Sequence, residues 1–388
     1  MQAALTPDDA AFQAEVSDFL RERLDPTLAD KVRRGAAISR HEMTHWARTL
    51  NERGWAAPSW PVSHGGPGWS LVRRQIFDEA CRLAHAPVLT GMNYNMVGPA
   101  IIKFGNTEQQ QQHLQKTLTC ERLWCQGYSE PQAGSDLASL QTRAERDGDE
   151  YVVTGQKTWT TGAEDADWIF CLVRTNPNVQ QQKGISFLLI DLDSPGVSRR
   201  PLYALNGKML WNEVFFDQVR VPVSNRLGEE NRGWTVAKSL LGDERLFVSR
   251  VGENKRCLSL VRAALQEQPG CEHLQTKADA LQVRLEALEA TSLRILSGAD
   301  EGTQIGAEPS MLKLKGSQLV QAMDELLFEA AAYWVLPGDS GAKDHSIGPR
   351  ALEYVASGAY HHRGYTIAGG ATEVQRNIIA KQVLGLPG

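Results

Sequence analysis

The first third of the chain carries apolar residues at helical spacing. Phe12, Val16 and Leu20 fall on one helical face, and the preceding Thr6-Pro7 is a typical start of a helix. A second helix is predicted from about Ser39, with Trp46 and Leu50 on its apolar face. Further helices are predicted over 76–83 and 98–104, and from an N-cap at Asn106 to about residue 118.

The pattern changes at about residue 123, where short runs rich in β-branched and aromatic residues begin. Turn sequences such as Asp-Gly-Asp and Ser-Pro-Gly separate these runs, and no helical crossover lies between them. This spacing favours a small antiparallel barrel or sandwich. Strands are predicted over 140–145, 151–154, 168–173, 185–191 and 213–221.

After Gly228 the pattern is helical again. One apolar stripe contains Leu281, Leu285, Leu288 and Leu296, and a second contains Leu314, Leu319, Met323, Leu326, Leu327 and Ala330. Such helices are expected to pack as a four-helix bundle. The sequence therefore predicts an α+β protein with an N-terminal helical domain (1–122), a central β domain (123–230) and a C-terminal bundle (231–388).

Composition excludes several classes of protein. The net charge of −5 and the lack of a basic cluster argue against nucleic-acid binding. No apolar run reaches membrane-spanning length, and the polar N-terminus is not typical of a targeting peptide. The six cysteines form no CxxC pair and indicate reduced cytoplasmic thiols without a metal site. His361-His362 is interpreted as a surface or turn pair.

Small and polar residues are concentrated in two segments, 126–136 and 155–162. The first reads Gln-Gly-Tyr-Ser-Glu-Pro-Gln-Ala-Gly-Ser-Asp, and the second reads Gly-Gln-Lys-Thr-Trp-Thr-Thr-Gly. Their hydroxyl and backbone N–H groups can hydrogen-bond a flat polar heterocycle, and the Trp159 indole can stack on it. Taken alone, each segment is more typical of a Gly/Ser turn with a core tryptophan than of a ligand site. Pro131 restricts Glu130 and is interpreted as the entry to a turn.

A carboxylate interrupts an apolar face of the helix predicted after Gly233. Ala237, Leu241, Glu244, Val248 and Val251 recur at spacings of four, three, four and three, so they share one face. A carboxylate at Glu244 is either exposed, paired with a nearby arginine, or placed in a dry pocket. In a dry pocket its pKa would rise, which would strengthen it as a base.

Taken together, segments 126–136 and 155–162 closely resemble the flavin-binding segments of the acyl-CoA dehydrogenase family, and the resemblance extends over about residues 5–388. It implies FAD as the cofactor. By this resemblance Gln126, Tyr128 and Ser129 lie against the flavin ring and its pyrimidine edge. Trp159 stacks near the ring, and Thr161 hydrogen-bonds near the reactive nitrogen N5.

The resemblance also implies a substrate site and a loop that reaches the dinucleotide. Gly134 and Ser135 are similar to residues that touch the CoA thioester arm, and Arg245 is assigned with them to substrate binding. Thr372 and Glu373 are similar to the C-terminal loop near the dinucleotide.

The family's base has two locations, and this chain matches the rarer one. Most members carry a glutamate in a C-terminal turn, where this chain has Gly369. A minority place it on an internal helix before an arginine, as in Glu244-Arg245. The resemblance implies that Glu244 removes the α-proton while the β-hydrogen leaves as hydride to the flavin; Asp243 is the fallback. The Gly369 N–H is expected to bond the thioester carbonyl, and its missing side chain leaves room for a bulky acyl group.

Two family motifs that serve a neighbouring subunit are missing. An Arg-x-x-Phe-Gly segment corresponds to 270–276, and a Gln-x-x-Gly-Gly-x-Gly turn to 333–341; neither is present. Because these motifs support the neighbour's FAD, their absence predicts a heterotetramer with a paralogous acyl-CoA dehydrogenase subunit. This resembles bacterial α2β2 enzymes that act on steroid side chains and rings. A homo-oligomer is the alternative.

The resemblance implies conversion of a branched, cyclic or steroid-like acyl-CoA to a trans-2-enoyl-CoA, with electrons passed to an electron-transfer flavoprotein. An oxidase-like relative and a non-catalytic structural subunit are the alternatives. The intact Trp159-Thr160-Thr161 and Glu244-Arg245 sequences argue against the structural subunit.

Overall fold

The computed structural model describes residues 5–244, 249–267, 270, 272–332 and 355–387, without the side chains of 241–244 and 267. Along this part of the chain, helices come first, strands second and helices last. This order confirms the α+β layout predicted from periodicity. The division into three domains at residues 122 and 230 stays a prediction.

Within the described residues, six α-helices precede the strands. Thr6 caps α1 by accepting a hydrogen bond from Asp9 N, and Asn106 caps α6 in a reciprocal capping box with Gln109. Helix α2 was not predicted, although Asp25 caps it by accepting hydrogen bonds from the backbone N–H groups of its first turn. The helices are α1 (Pro7–Arg23), α2 (Pro26–Arg34), α3 (Arg40–Glu52), α4 (Leu71–Leu83), α5 (Gly98–Phe104) and α6 (Thr107–Leu118).

An eight-stranded sheet follows, in the order β6-β7-β3-β2-β4-β5-β8, with β1 paired to β4. Its strands are β1 (Trp124–Gly127), β2 (Arg143–Asp147), β3 (Glu150–Thr161), β4 (Trp168–Arg174), β5 (Ile185–Asp191), β6 (Val197–Tyr203), β7 (Met209–Pro222) and β8 (Arg226–Leu227). Most neighbours are antiparallel, but β1 runs parallel to β4 and β2 makes one parallel pairing with β4. The predicted purely antiparallel sheet is therefore corrected to a mixed one.

The helices after the sheet are α7 (Gly233–Glu244), α8 (Val251–Glu267), α9 (Glu272–Asp300), α10 (Glu308–Ala331), α11 (Val355–His362) and α12 (Thr372–Gln382). Both predicted leucine stripes are buried, except that Leu314 is only half-buried. Apart from Leu296, their buried members belong to one core that joins α8, α9 and α10. Gly316 allows α10 to approach the chain before α8, because an added Cβ would lie 2.0 Å from the Ser249 carbonyl oxygen.

The described residues form two compact units. One contains residues from 1–43, 69–88 and 245–388, and the other contains residues from 44–68 and 89–244. The second unit holds the sheet, whose apolar core includes Tyr151, Ile169 and Leu188. The first unit holds the core of α8, α9 and α10.

His362 corrects the expectation that the histidine pair lies at the surface. Its side chain is buried in the first unit, and Nδ1 lies 2.9 Å from Asp324 Oδ2. This imidazole is buried among α8, α10 and α11, where it contacts the carboxylates of Asp324 and Glu253, so we assign it a structural role.

Candidate active site

The first polar segment begins on β1. Gln126 is half-buried and pairs with Phe170 of β4, so the parallel pairing sets its place in the sheet. An added Cβ on the next residue, Gly127, would lie 2.7 Å from Ile169 Cδ1. Glycine therefore permits close packing at this strand end, from which the loop 128–136 departs.

That loop exposes small residues and buries its tyrosine. The Tyr128 ring meets Phe170 edge-on, with centroids 5.9 Å apart. Ser129 is half-buried, and its carbonyl accepts a hydrogen bond from Thr158 N at 2.9 Å. Gly134 and Ser135 are exposed, and an added Cβ on Gly134 would meet no atom within 4 Å. The loop thus presents an open, polar edge.

The second segment ends β3 with a bulge. The register against β7 shifts between Lys157 and Thr160, and Trp159 adopts a left-handed φ of 58°. Bulges of this kind redirect side chains. As a result Trp159 is 60% exposed and Thr161 is exposed, whereas Thr160 is buried between them. The Trp159 indole is held edge-on against Trp211, with centroids 5.7 Å apart.

A buried ion pair, which was not predicted from the sequence, joins the two segments. Lys157 Nζ lies 2.7 Å from Glu130 Oε1 and also donates to the Tyr128 carbonyl at 3.2 Å. The Glu130 carboxylate further accepts from the N–H groups of Gln141 (2.6 Å) and Thr142 (2.9 Å). Glu130 therefore not only lies at the entry to a turn, as predicted, but also links the two polar segments.

Charge pairing controls the ionisation of that carboxylate. Burial raises the pKa of Glu130, but Lys157 and the donors from Thr142 and Gln141 outweigh burial, so the pKa lies below its ordinary value. The ionised pair anchors loop 128–136 to the bulged end of β3. A sequence signal was available, because Lys157 is in phase with the buried Tyr151 and Val153 along the strand.

The helix that carries the predicted base is described only in part. Val236, Ala237 and Leu240 of α7 are buried, which agrees with an apolar face. Glu244 is the last residue of α7; its side chain, and the whole of Arg245 and Val248, lie outside the described residues, as do the side chains of Leu241 and Asp243.

One part of the predicted stripe is wrong. Val251 begins α8, and Arg250 before it has a left-handed φ of 54°. Val251 therefore does not continue the face of α7, although it is buried in the core of the other unit.

The C-terminal turn belongs to the unit of α8–α12. Gly369 and Gly370 have left-handed φ values of 68° and 95°, which glycine adopts without strain. Both are exposed, and an added Cβ on Gly369 would meet no atom within 4 Å. Thr372 begins α12 with a buried hydroxyl that has no hydrogen-bond partner in the described part of the chain, and Glu373 is exposed in its first turn.

The structure describes only part of the two segments that correspond to the family motifs supporting a neighbouring subunit's FAD. Gly270 and residues 272–276 are described, and Glu272 begins α9. Cys271 and the segment 333–341 lie outside the described residues.

The residues around β1 and β3 fit a flavin. Gln126 supplies an amide, Ser129 and Thr161 supply hydroxyls, and Trp159 supplies an exposed ring, all within one unit. This donor set matches a heterocycle with alternating carbonyl and N–H groups. Thr160 adds a buried hydroxyl that has no hydrogen-bond partner among the described residues.

Among the residues described, no group of three His, Cys, Asp or Glu side chains could hold a metal ion. No helix in the same residues has both the length and the apolarity needed to cross a bilayer.

Comparison with known proteins gives matches over the whole chain. Models of the acyl-CoA dehydrogenase N-terminal, middle and C-terminal domains match residues 6–121, 125–219 and 231–384. The acyl-CoA dehydrogenase IpdE1 of Mycobacterium tuberculosis is 35% identical, over 98% of this chain and 98% of its own length. FadE29 of the same organism, also an acyl-CoA dehydrogenase, is 30% identical over 99% of this chain and 98% of its own length.

Comparison with solved structures also gives matches over the full length of the chain. A structure described as the Tcur3481-Tcur3483 steroid ACAD has a TM-score of 0.88 at 28% identity and covers 100% of both chains. The ChsE4-ChsE5 complex from Mycobacterium tuberculosis has a TM-score of 0.86 at 30% identity, also over 100% of both chains.

Proposed function

We propose that this chain dehydrogenates a bulky acyl-CoA thioester between its α and β carbons. The product is a trans-2-enoyl-CoA. The chain belongs to the acyl-CoA dehydrogenase family and is an oxidoreductase. The observation that carries the proposal is the Glu130–Lys157 pair, which holds two polar segments together with a donor set suited to a flavin. Family membership confirms the resemblance found in the sequence.

FAD is the proposed cofactor. Gln126, Tyr128 and Ser129 would hold the ring and its pyrimidine edge, Trp159 would stack beside it, and Thr161 would donate to it. Bound FAD supplies the two-electron acceptor of the reaction. The fixed bulge of β3 supports this assignment, because it presents Trp159 and Thr161 on the exposed side while Thr160 stays buried. Thr372 and Glu373 are proposed to contact the dinucleotide.

Glu244 is the proposed base for the α-proton. The position that carries a glutamate in most relatives is Gly369 here, which has no side chain. The Gly369 N–H is proposed to donate to the thioester carbonyl oxygen, where it would stabilise the negative charge that develops as the proton leaves. Gly134, Ser135 and Arg245 are proposed to contact the thioester arm of the substrate.

A branched, cyclic or steroid-like acyl group is the proposed substrate class. Open space around the Gly369 Cβ position supports a bulky group. A similar solved structure is described as a steroid enzyme, which supports the same class.

A paralogous subunit is proposed to complete the FAD site in a heterotetramer. The segment 270–276 has no arginine to offer a neighbouring pyrophosphate, and a similar solved structure is a complex of two named chains. The electron acceptor is proposed to be an electron-transfer flavoprotein, and the scattered cysteines support a cytoplasmic location.

The proposed reaction is tested by mixing the flavin-loaded protein, purified together with any partner subunit that it binds, with acyl-CoA thioesters without oxygen. Straight-chain, branched and steroid side-chain thioesters form the panel. Loss of the flavin's visible absorbance with the bulky thioesters, and an enoyl-CoA product by mass, is expected. No bleaching with any thioester overturns the proposal, and hydrogen peroxide formation in air at the full rate of turnover indicates an oxidase instead.

The subunit proposal is tested separately, by flavin content and mass in solution. The chain purified alone is expected to be poor in FAD. A homotetramer with full FAD occupancy would overturn the need for a partner.

A further inference from the structure

A lysine of α10 binds the carbonyl of the C-terminal glycine turn. Lys313 is 5% exposed, and its Nζ donates to the Gly370 carbonyl oxygen at 2.6 Å. Gln375 of α12 donates to the same oxygen at 3.3 Å. Two donors from different helices therefore fix one peptide carbonyl.

The other end of the turn is fixed by backbone bonds. The Gly364 carbonyl accepts from Ile367 N at 3.0 Å and from Ala368 N at 2.8 Å. Between these bonds and the bound Gly370 carbonyl lies Gly369, whose N–H donates to no group in the described residues. The turn is therefore held on both sides of one unused, exposed amide.

Two consecutive glycines need such support. Glycine has the largest backbone freedom of any residue, so ordering Gly369 and Gly370 in left-handed conformations carries a large entropy cost. Lys313 and Gln375 limit that freedom where no side chain of the turn itself can do so.

The setting of Lys313 favours this one contact. Burial and the nearby Arg250 lower the pKa of Lys313 to about 8, and Glu373 opposes them in part. A buried ammonium next to a second cation needs a strong acceptor, and a charge-assisted bond to a carbonyl provides one. The exposed Lys315, on the same helix, has no such constraint.

We propose that Lys313 is a positioning residue, which holds the Gly369–Gly370 turn so that the Gly369 N–H points at the thioester carbonyl oxygen of the substrate. The inference rests on the proposed function, because it assigns a support to the donor named there. Lys313 itself would not touch the reacting atoms. Its effect would pass through the orientation of one amide, where a misplacement of about 1 Å can lower the rate about 100-fold.

The first measurement is peptide-level hydrogen–deuterium exchange in the flavin-loaded protein. Lys313→Met is expected to speed exchange in the segment 364–376, and Lys315→Met is the matched control that leaves it unchanged. Equal exchange in the wild type and Lys313→Met would overturn the inference, because the turn would then not depend on Lys313.

The second measurement is the rate of flavin bleaching by a branched acyl-CoA. Lys313→Met is expected to lower kcat about 10- to 100-fold, with a smaller change in KM, whereas Lys313→Arg is expected to restore much of the rate. If Lys313→Met exchanges faster but keeps the wild-type kcat, the turn is only structural and the inference is wrong.

Two further experiments distinguish a failure of this inference from a failure of the proposed function and from misfolding of a variant. If the wild type does not bleach with any thioester, the proposed function has failed, while the exchange experiment still decides whether Lys313 holds the turn. If Lys313→Met does not fold, Lys313→Gln takes its place: an amide can still donate to Gly370 but carries no charge. A wild-type kcat in folded Lys313→Gln, with unchanged exchange, would overturn the role of the charged contact.

Discussion

Lys157 Nζ lies 2.7 Å from Glu130 Oε1, and both side chains are buried although 27 positions separate them in sequence. This pair links the loop after β1 to the bulged end of β3. Because the pair joins the two segments that carry the proposed flavin contacts, it connects the stability of the sheet to the shape of the proposed cofactor site.

Breaking this pair is expected to destabilise the protein. Lys157→Met leaves the Glu130 carboxylate buried without its cation, which is expected to lower the free energy of unfolding by about 3–5 kcal/mol. Urea denaturation of the flavin-free protein measures it. Lys277→Met, which removes the exposed Lys277–Glu329 pair, is the control and should lower it by less than about 1 kcal/mol. Equal effects of the two substitutions would contradict the role given to burial.

Neighbouring threonines on β3 are expected to respond differently. Thr161→Val removes an exposed hydroxyl from the proposed flavin contact, so FAD affinity is expected to fall about 3- to 10-fold. Thr160→Val replaces a buried hydroxyl that has no hydrogen-bond partner in the described residues, so the free energy of unfolding should stay the same or rise. Fluorescence titration with FAD and thermal melting measure the two effects. An unchanged FAD affinity in Thr161→Val would remove that residue from the site.

Two helical glycines provide a test of packing. Gly316→Ala places a Cβ 2.0 Å from the Ser249 carbonyl oxygen, and the resulting overpacking is expected to cost at least about 1–3 kcal/mol. Gly298→Ala on α9 meets only Thr303, at 3.5 Å, so the higher helix propensity of alanine should stabilise the protein by about 0.5–1 kcal/mol. Thermal melting of both variants should show shifts of opposite sign, and a stabilised Gly316→Ala would contradict the close approach.

Acid is expected to destabilise the unit of α8–α12 through Glu253. Burial raises the pKa of Glu253, but Arg256, Arg82 and His362 outweigh burial and hold it well below its ordinary range. Because the folded pKa is depressed, this stabilisation is complete above the unfolded pKa of about 4.3 and is lost as pH falls from there toward the folded pKa. Glu253→Gln should be less stable at neutral pH and should lose less stability in acid. Urea midpoints of the wild type and of Glu253→Gln across this pH range measure the difference. Parallel plots of midpoint against pH for the two proteins would exclude Glu253 as the cause of the acid sensitivity.

The proposed base has a neighbouring control. Glu244→Gln is expected to lower kcat at least about 10²- to 10⁴-fold, since the amide cannot accept the α-proton, while FAD content stays unchanged. Asp243→Asn should keep most of the activity. Rapid-mixing measurement of flavin bleaching separates them. If Glu244→Gln keeps the wild-type rate and Asp243→Asn loses it, the assignment moves to Asp243.

Periodicity located most of the long buried elements and missed several short elements or elements with mixed surfaces. The bounds of β5 match the predicted 185–191 because nearly the whole strand is buried and apolar. β6 was missed because its two arginines and Pro201 hide the alternation, as an edge strand tolerates. Periodicity also extended the α7 stripe to Val251, since spacing alone does not detect the left-handed residue at Arg250.

The candidate site was predictable segment by segment. Residues 126–136 and 155–162 were found because their composition and family resemblance are local properties. Their connection through Glu130 and Lys157 was missed, because an ion pair over 27 positions depends on how the strands pair. Lys157 on the buried side of β3 was the one local signal that a buried partner was needed.

The parallel pairing of β1 with β4 also sets an order of events while the chain is being made. β2 and β3 form a local hairpin with Asp147 opposite Glu150, whereas β1 pairs within the described residues with β4, where Trp124 lies opposite Trp168. Pairings between distant segments form later than local ones. The strand that carries Gln126 therefore joins the sheet only after the β2–β3 hairpin can form, so the proposed flavin site cannot be complete in a ribosome-bound chain that ends before β4.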